Sequence, residues 1–330
     1  MWMYNLGPDS DVAISTRIRL ARNLKDIKFP NIMTDEEAEY VKEQIKNTYK
    51  DLVYIETKDL DDLTLLSLIE KHLISKELAE NDIYSALLMN EDASTCIMIN
   101  EEDHIRIQQM QAGYDIDLAY KKILKLDEKL AKENKIAYSE KYGYLTACPT
   151  NVGSAIRVSV MLHLPGLVET GYINPLIDEA VNLGLTIRGI YGEGTESVGD
   201  MFQISNQIGL GASEEDIIAK IKIVIARIIE RERAARKVII AKDKYIEDEM
   251  YRAYGILKYA RRISTSEAHT LISTLKMGTN MGIIHKVDLL KLNKLTVDIN
   301  PYTLQLNKRD VLLDDDRDTY RATYIRKELE

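Results

Sequence analysis

A strict alternation of residues between positions 12 and 21 limits the fold more than any other feature of the sequence. On an extended chain, one face would carry Val12, Ile14, Thr16, Ile18 and Leu20, and the other Ala13, Ser15, Arg17, Arg19 and Ala21. A period of two is that of a half-buried β-strand. Arg17 and Arg19 then project from the same face about 7 Å apart, a spacing that suits adjacent phosphate groups.

Similar short patterns predict strands at 95–99, 104–110, 157–163, 185–190 and 202–205. Helices are predicted near 60–78, 115–132 and 174–183, and another opens with a capping box formed by Thr34 and Glu37. The short turn at 100–103 joins two of the strands, which favours an antiparallel sheet over a doubly wound one.

The pattern changes at Ser213, after which the chain is almost wholly helical. Apolar residues from 217 to 229 recur at helical spacing, a second helix begins at Ser264, and shorter helices are expected near 287–295, 301–306 and 317–328. We therefore predict an α+β fold, with a mixed domain at 1–235 followed by an all-helical domain at 236–330.

The composition argues against several classes of protein. The formal charge of −9 is unlike that of a general nucleic-acid or membrane-surface binder. Two cysteines are too few for a disulfide framework, and neither a signal peptide nor a membrane span is evident. We expect a cytoplasmic protein with no membrane and no direct nucleic-acid partner.

Five arginines fall in predicted strands: Arg17, Arg19, Arg106, Arg157 and Arg188. Guanidinium groups are planar, charged forks that bind phosphate oxygens bidentately, so several on one sheet would cradle a triphosphate. Neither a P-loop nor a dinucleotide-binding glycine motif is present. For each arginine alone, a surface ion pair is the competing interpretation.

Two glutamates suggest a guanidinium acceptor for the phosphoryl group. Glu102 lies in the turn before Arg106, and Glu193 lies in a glycine-rich loop that could close over substrates. Because a guanidinium keeps its proton at neutral pH, it needs carboxylates to orient it and one to act as base, for which Glu102 is the candidate. Solvated loop residues are the alternative.

Cys148 lies among small residues just before the strand that carries Arg157. A cysteine near guanidinium groups is expected to have a lowered pKa, and its thiolate could hydrogen-bond the acceptor. A small buried residue is the plainer interpretation.

Three motifs in this order resemble the catalytic domain of the phosphagen kinases: NEEDHIR at 100–106, CPTN at 148–151 and RGIYGEGTES at 188–197. With STRIR at 15–19, the resemblance covers roughly residues 11–210. It implies a saddle-shaped antiparallel sheet flanked by helices and acceptor contacts from Glu102, Glu193 and Cys148. It also implies ATP contacts from Ser15, Thr16, Arg17, Ile18, Arg19, His72, Arg106, Arg157, Val158, Ser159, Val160, Met161, Arg188, Gly189, Ile190, Tyr191, Gly192 and Glu193.

The C-terminal helical extension, with RDTYRA at 317–322, resembles that of the McsB-type protein-arginine kinases, and so does the segment EKHLIS at 70–75. In that family the RDxxRA pattern forms a phosphoarginine-binding pocket, which implies this role for Arg317, Asp318, Arg321 and Ala322. Ion pairs on a helix surface are the competing interpretation of that motif.

The resemblance also implies a protein acceptor, because creatine and arginine kinases carry a helical N-terminal domain before STRIR and here STRIR begins near the start. Implied partners are a CtsR-like heat-shock repressor and misfolded proteins as substrates, an McsA-like activator, the Clp ATPase and protease, and further copies of the chain in a homodimer or higher oligomer. ATP would bring Mg²⁺ bound mainly through its phosphates, without a dedicated protein metal site. The alternatives are a kinase of free arginine and a phosphoarginine-binding regulatory protein.

Overall fold

The computed structural model describes residues 1–81, 84–190, 197–207, 211–242 and 245–330. Within them, eight strands form one antiparallel sheet in the order β2-β3-β4-β5-β1-β8-β10-β9, and β6 pairs with β7. The strands are β1 (Ala13–Arg22), β2 (Val53–Glu56), β3 (Ala86–Met89), β4 (Thr95–Ile99), β5 (Ile105–Ala112), β6 (Tyr138–Ser139), β7 (Gly143–Tyr144), β8 (Ile156–His163), β9 (Leu185–Gly189) and β10 (Met201–Asn206).

Helices flank this sheet and make up the C-terminal part of the described chain. They are α1 (Asp35–Thr48), α2 (Asp62–Glu70), α3 (Lys76–Glu80), α4 (Ile116–Glu133), α5 (Pro165–Glu169), α6 (Ile173–Asn182), α7 (Glu214–Lys242), α8 (Ile246–Tyr259), α9 (Thr265–Asn280), α10 (Leu289–Asp298), α11 (Pro301–Lys308) and α12 (Asp314–Glu328). The α+β prediction, the strand at 95–99 and the capping box of Thr34 with Glu37 are confirmed. None of these helices is long and apolar enough to span a bilayer.

Two sequence predictions were wrong in detail. The alternation in β1 is broken by a register shift between Ala13 and Ser15, which puts Ala13 in the same core cluster as Ile18 and Leu20. The helix predicted at 60–78 is two helices, because the chain turns between α2 and α3 and His72 adopts a left-handed φ of 57°. That break directs His72 and Ser75 toward the sheet.

The two faces of the sheet differ in character. One face packs apolar residues such as Ile18, Leu20 and Val158 against α1, α4 and α7, forming the largest core cluster. The opposite face carries the arginines in its centre. Toward β3 and β4 this second face becomes apolar, and Leu65 and Leu78 of α2 and α3 cover it. The arginines therefore lie in a cleft beside the α2–α3 pair.

The C-terminal helices enclose a second core, which includes Met250, Leu257 and Leu292. α7 contributes to the first core as far as Ala235 and to the second from Ile239, so the division at residue 235 stays a prediction. α11 also contacts the sheet-containing part of the chain through Glu70 at the end of α2. The Glu70 carboxylate accepts hydrogen bonds from the backbone N–H groups of Tyr302 at 3.0 Å and Thr303 at 2.7 Å.

Arg22 anchors the end of the central strand β1 to α4. Its side chain is buried, donates through Nε and Nη2 to both carboxylate oxygens of Asp127 at 2.8 Å, and lies 3.5 Å from the centre of the Tyr144 ring. A bidentate pair of this kind fixes direction as well as distance. It therefore helps to set the position of β1, which carries Arg17 and Arg19.

We predict that Arg22→Met lowers the free energy of unfolding by about 3 kcal/mol, because it leaves the half-buried Asp127 without its partner. Urea denaturation followed by circular dichroism would measure the loss. The exposed Arg227→Met is the control and should change stability by less than about 0.5 kcal/mol. Equal stability of the two variants would refute the anchoring role.

Candidate active site

The strand register brings the arginines of separate strands together. Arg19 on β1 lies opposite Arg157 on β8, and Ala21 lies opposite Arg106 on β5. A cleft of about 560 Å³ is lined by all five predicted phosphate-binding arginines, Arg17, Arg19, Arg106, Arg157 and Arg188. Convergence of side chains from four strands is what a polyanion site requires.

Positive charge is crowded in this cleft. The pKa of Arg17 is lowered to about 10 by burial and by the nearby Arg106 and Arg157. Burial and the charges of its arginine neighbours also lower the pKa of Arg19 well below its usual value. Glu101 offsets part of this positive charge, because its buried carboxylate forms an ion pair with Arg106. A bound polyanion would relieve the remaining repulsion.

Three buried nitrogen atoms at the cleft have no hydrogen-bond partner among the described residues: Arg19 Nε, Arg157 Nε and His72 Nε2. Burial and the charges of Arg17 and Arg19 lower the pKa of His72 to about 3, so its ring is neutral at physiological pH. Buried polar groups are normally satisfied, so unpaired nitrogen atoms in a cationic cleft fit the oxygens of a nucleotide triphosphate.

Other residues predicted to contact ATP divide between the two faces of the sheet. Ser15, Ser159 and Met161 line a small cavity next to Arg17 and His72. Side chains on or beside the core face are buried at Thr16, Ile18, Val158 and Val160. The Thr16 hydroxyl donates a hydrogen bond to the Gly113 carbonyl oxygen at 2.8 Å. Their contact with ATP stays a prediction.

Gly189 ends β9, and Ile190 follows it, next to the cleft arginine Arg188. The predicted contacts of Tyr191, Gly192 and Glu193 lie outside the described residues. The structure therefore leaves the second proposed carboxylate, Glu193, as a prediction from sequence.

The turn between β4 and β5 places Glu102 beside Cys148. Asp103 Oδ1 accepts hydrogen bonds from Asn23 Nδ2 and from the Ala147 N–H, both at 2.7 Å, which holds the segment before Cys148 against the turn. Glu102 and Cys148 then line one cavity of about 220 Å³ together with Arg19, Arg106 and Arg157. The residues predicted to bind the acceptor thus lie next to those predicted to bind phosphate.

The electrostatic setting of Glu102 suits a base. Burial, followed by the charges of Asp103 and Glu101, raises the pKa of Glu102, whereas Arg106 and a hydrogen bond with Cys148 lower it. The net shift is upward. A carboxylate with a raised pKa binds a proton more readily than an ordinary glutamate, which helps it to accept one from a guanidinium.

Sequence reasoning missed the supporting residues Glu101, Asp103 and Gln203. The Glu101 carboxylate accepts hydrogen bonds from Ser75 and Arg106, and Gln203 Oε1 accepts from Arg17 Nη2 at 2.8 Å. Glu101 adjoins Glu102 in sequence, and no pattern separates a structural carboxylate from a reactive one. Gln203 could be found only from the strand register, which places it opposite Arg188.

The RDTYRA motif forms a separate cluster on α12. Arg321 is buried and donates to the carbonyl oxygens of Ile299 and Ile263, both at 2.9 Å, and to Asp318. Arg321 Nη2 and Arg317 Nε are buried without a hydrogen-bond partner among the described residues, and Ala322 is fully buried. The end of the motif, Arg321 and Ala322, is therefore built into the helical core, and the cluster holds two unsatisfied guanidinium nitrogens.

Comparison with known proteins assigns the family. The model of the ATP:guanido phosphotransferase C-terminal catalytic domain matches residues 31–235, and that of the protein-arginine kinase McsB C-terminal domain matches 243–330. A protein-arginine kinase of Brevibacillus brevis is 44% identical over 99% of this chain and 94% of its own length. The chain belongs to the protein-arginine kinase family. Another member, from Syntrophomonas wolfei, is 44% identical over 100% of this chain and 95% of its own length.

The fold of this kinase is also that of solved phosphagen kinases. The duplicated taurocyamine kinase from Schistosoma mansoni matches with a TM-score of 0.62 and 23% identity, covering 73% of this chain and 37% of that protein. The predictions of a phosphagen-kinase-like sheet and of an ATP-dependent phosphotransferase are confirmed.

We predict that Glu102→Gln lowers kcat by about 10²–10⁴-fold, the usual contribution of a general base. Glu102 must be ionised to accept a proton, so wild-type kcat/KM should rise with pH through a pKa above the ordinary glutamate range. Steady-state kinetics across pH would show this limb in the wild type and its loss in the variant. Exposed Glu80→Gln is the control, and an equal loss there would contradict the assignment.

Proposed function

We propose that this kinase transfers the γ-phosphoryl group of Mg-ATP to arginine side chains in proteins. The observation that carries the proposal is the adjacency of the cleft lined by Arg17, Arg19 and Arg157 to the cavity shared by Glu102 and Cys148. An anion site and a carboxylate–thiol site share Arg19, Arg106 and Arg157, so donor and acceptor would meet there. Relatives named protein-arginine kinases support a protein acceptor.

In the proposed reaction, a guanidinium nitrogen attacks the γ-phosphorus and forms a P–N bond, while the bond to the β,γ-bridging oxygen breaks and ADP leaves. Glu102 orients the guanidinium and accepts the proton that the attacking nitrogen loses. The cleft arginines stabilise negative charge on the transferring phosphoryl group, and their fixed positions on the sheet reduce reorganisation. Cys148, which lines the same cavity as Glu102, could hydrogen-bond the acceptor guanidinium.

Magnesium fits this cleft as a companion of the nucleotide. Among the described residues there is no group of three or more His, Cys, Asp or Glu side chains placed to hold a metal ion. Mg²⁺ commonly binds through one or two carboxylates and substrate phosphates, and it neutralises phosphate charge during transfer. We propose that ATP carries the ion into the site.

The partners are proposed from family resemblance. Substrates would include a CtsR-like heat-shock repressor and misfolded proteins, whose phosphorylation marks them for the Clp ATPase and protease, with an McsA-like protein as activator. The helical C-terminal region offers exposed apolar side chains, including Tyr251, Ile256 and Tyr259, that support a homodimer or higher oligomer. A cytoplasmic location follows from this set of partners.

We predict that the kinase labels denatured protein in preference to free arginine. Incubation with γ-labelled ATP and either a denatured protein or free arginine should give acid-labile label on the protein, and mass spectrometry should locate it on arginine. Label confined to free arginine would instead identify a kinase of a small guanidine. Phosphoarginine binding together with no turnover on either acceptor, with and without the activator, would identify a phosphoarginine-binding protein without kinase activity.

We also propose that the RDTYRA cluster binds phosphoarginine. Arg317 and Arg321 each have a buried, unpaired nitrogen that could donate to the phosphate, and Asp318 could hold the guanidinium part of the ligand. Phosphoarginine made at the active site would then act as a regulatory ligand, linking subunits or raising activity.

We predict that Asp318→Ala weakens phosphoarginine binding at least about tenfold, because one hydrogen bond to a charged group is removed. Isothermal titration in the presence of a non-hydrolysable ATP analogue would report this site with the nucleotide cleft filled. Asp316→Ala, on the exposed side of the same helix, is the matched control. Unchanged binding, activity and assembly in the Asp318 variant would refute the regulatory role.

A further inference from the structure

Glu102 lies where three cavities meet. Two have been described, the arginine-lined cleft and the cavity that contains Cys148. The third, of about 640 Å³, is lined by the loop before α1, the first turn of α1, Asn81, Tyr84, Glu101, Glu102 and Ala147. We name it the α1 pocket. The α1 pocket extends from Glu102, the carboxylate proposed to bind the acceptor. None of the cleft arginines lines it.

The walls of the α1 pocket are tied together by buried hydrogen bonds. Asn100, fully buried beneath it, donates through Nδ2 to the carbonyl oxygens of Ala38 at 3.1 Å and Tyr84 at 3.0 Å. On the other side, the 2.7 Å bond from Ala147 N–H to Asp103 fixes the wall between this pocket and the Cys148 cavity. The pocket is therefore a supported feature of the fold, adjoining the place where the target guanidinium would lie.

The charge of the α1 pocket is opposite to that of the nucleotide cleft. Its acidic lining residues are Asp35, Glu101 and Glu102, and no lysine or arginine is among its described lining residues. The Glu101 carboxylate already accepts hydrogen bonds from Ser75 and Arg106. Asp35 lies exposed at the start of α1, and its hydrogen bond raises the pKa of Tyr84. An anionic nucleotide is disfavoured here, and a cationic ligand is favoured.

The size of the α1 pocket exceeds what a guanidinium group needs. The Cys148 cavity of about 220 Å³ already accounts for a planar guanidinium group. The additional 640 Å³ falls within the roughly 300–1,000 Å³ range of pockets that hold drug-sized ligands. A free arginine would leave most of this space unused, whereas a protein acceptor brings neighbouring residues with its target arginine.

We propose that the α1 pocket binds the residues that flank the target arginine, and that Asp35 selects segments in which those residues are lysine or arginine over segments in which they are acidic. The inference rests on the proposed protein-arginine kinase activity and specifies its substrate class. Asp35 contributes through its charge at the rim of the pocket and does not touch the reacting atoms.

The test uses two otherwise identical peptides, each with a single arginine, flanked by lysines in one and by glutamates in the other. We predict a higher kcat/KM for the lysine-flanked peptide with the wild-type kinase. In Asp35→Lys the ratio of the two kcat/KM values should fall by about three- to tenfold, as expected for reversing one exposed charge. Asp35→Asn should give a smaller fall and guards against misfolding of the reversed variant.

Asp62→Lys is the matched control, because Asp62 is also an exposed aspartate at the first position of its helix and lies outside the α1 pocket. It should keep the wild-type ratio. A wild-type ratio of one, an unchanged ratio in both Asp35 variants, or an equal fall in the Asp62 control would each overturn the α1-pocket proposal while peptide phosphorylation continued. Phosphorylation of free arginine but of neither peptide would overturn the proposed function as well.

Discussion

Mutual repulsion among guanidinium groups on one face of a sheet is the constraint on which this site depends. Arg17, Arg19 and Arg157 lie on hydrogen-bonded neighbouring strands, and strand pairing prevents them from separating. Their pKa values are lowered, as expected when positive groups are partly buried near one another. The sheet maintains this unfavourable interaction in the free protein, and a triphosphate bound at the proposed site would relieve it. Affinity at the proposed nucleotide site would then derive partly from the core on the opposite face, which keeps the strands paired.

The proposed acceptor side depends on one buried carboxylate. Asp103 receives hydrogen bonds from Asn23 and Ala147, so it joins β1, the β4–β5 turn and the Cys148 segment. Glu102, the next residue in the chain, is directed into the space that these elements enclose. The neighbouring Glu101 faces the arginines instead. Glu101, Glu102 and Asp103 thus make different contacts because successive side chains in a turn point in different directions.

Much of the catalytic face followed from sequence because arginines at strand positions are unusual and strand periodicity fixes their direction. The prediction failed where local pattern is weak. β3 is buried on both faces over Ala86, Leu87 and Leu88 and shows no alternation, and β2 is a four-residue edge strand. α8 was missed although Ile246, Met250, Ala253 and Leu257 recur at helical spacing. The α2–α3 break could not be predicted, since it depends on packing against the sheet.

The contact between Glu70 and α11 couples α2 to the C-terminal helices in unfolding. The backbone N–H groups of Tyr302 and Thr303 donate hydrogen bonds to the carboxylate of Glu70, at the end of α2. α2 in turn covers part of the arginine face of the sheet through Leu65. Opening the first turn of α11 exposes Glu70, and displacing α2 exposes those amides, so neither event is independent of the other. Unfolding of α11 is therefore coupled to displacement of α2, although the two helices lie on opposite sides of the predicted domain division.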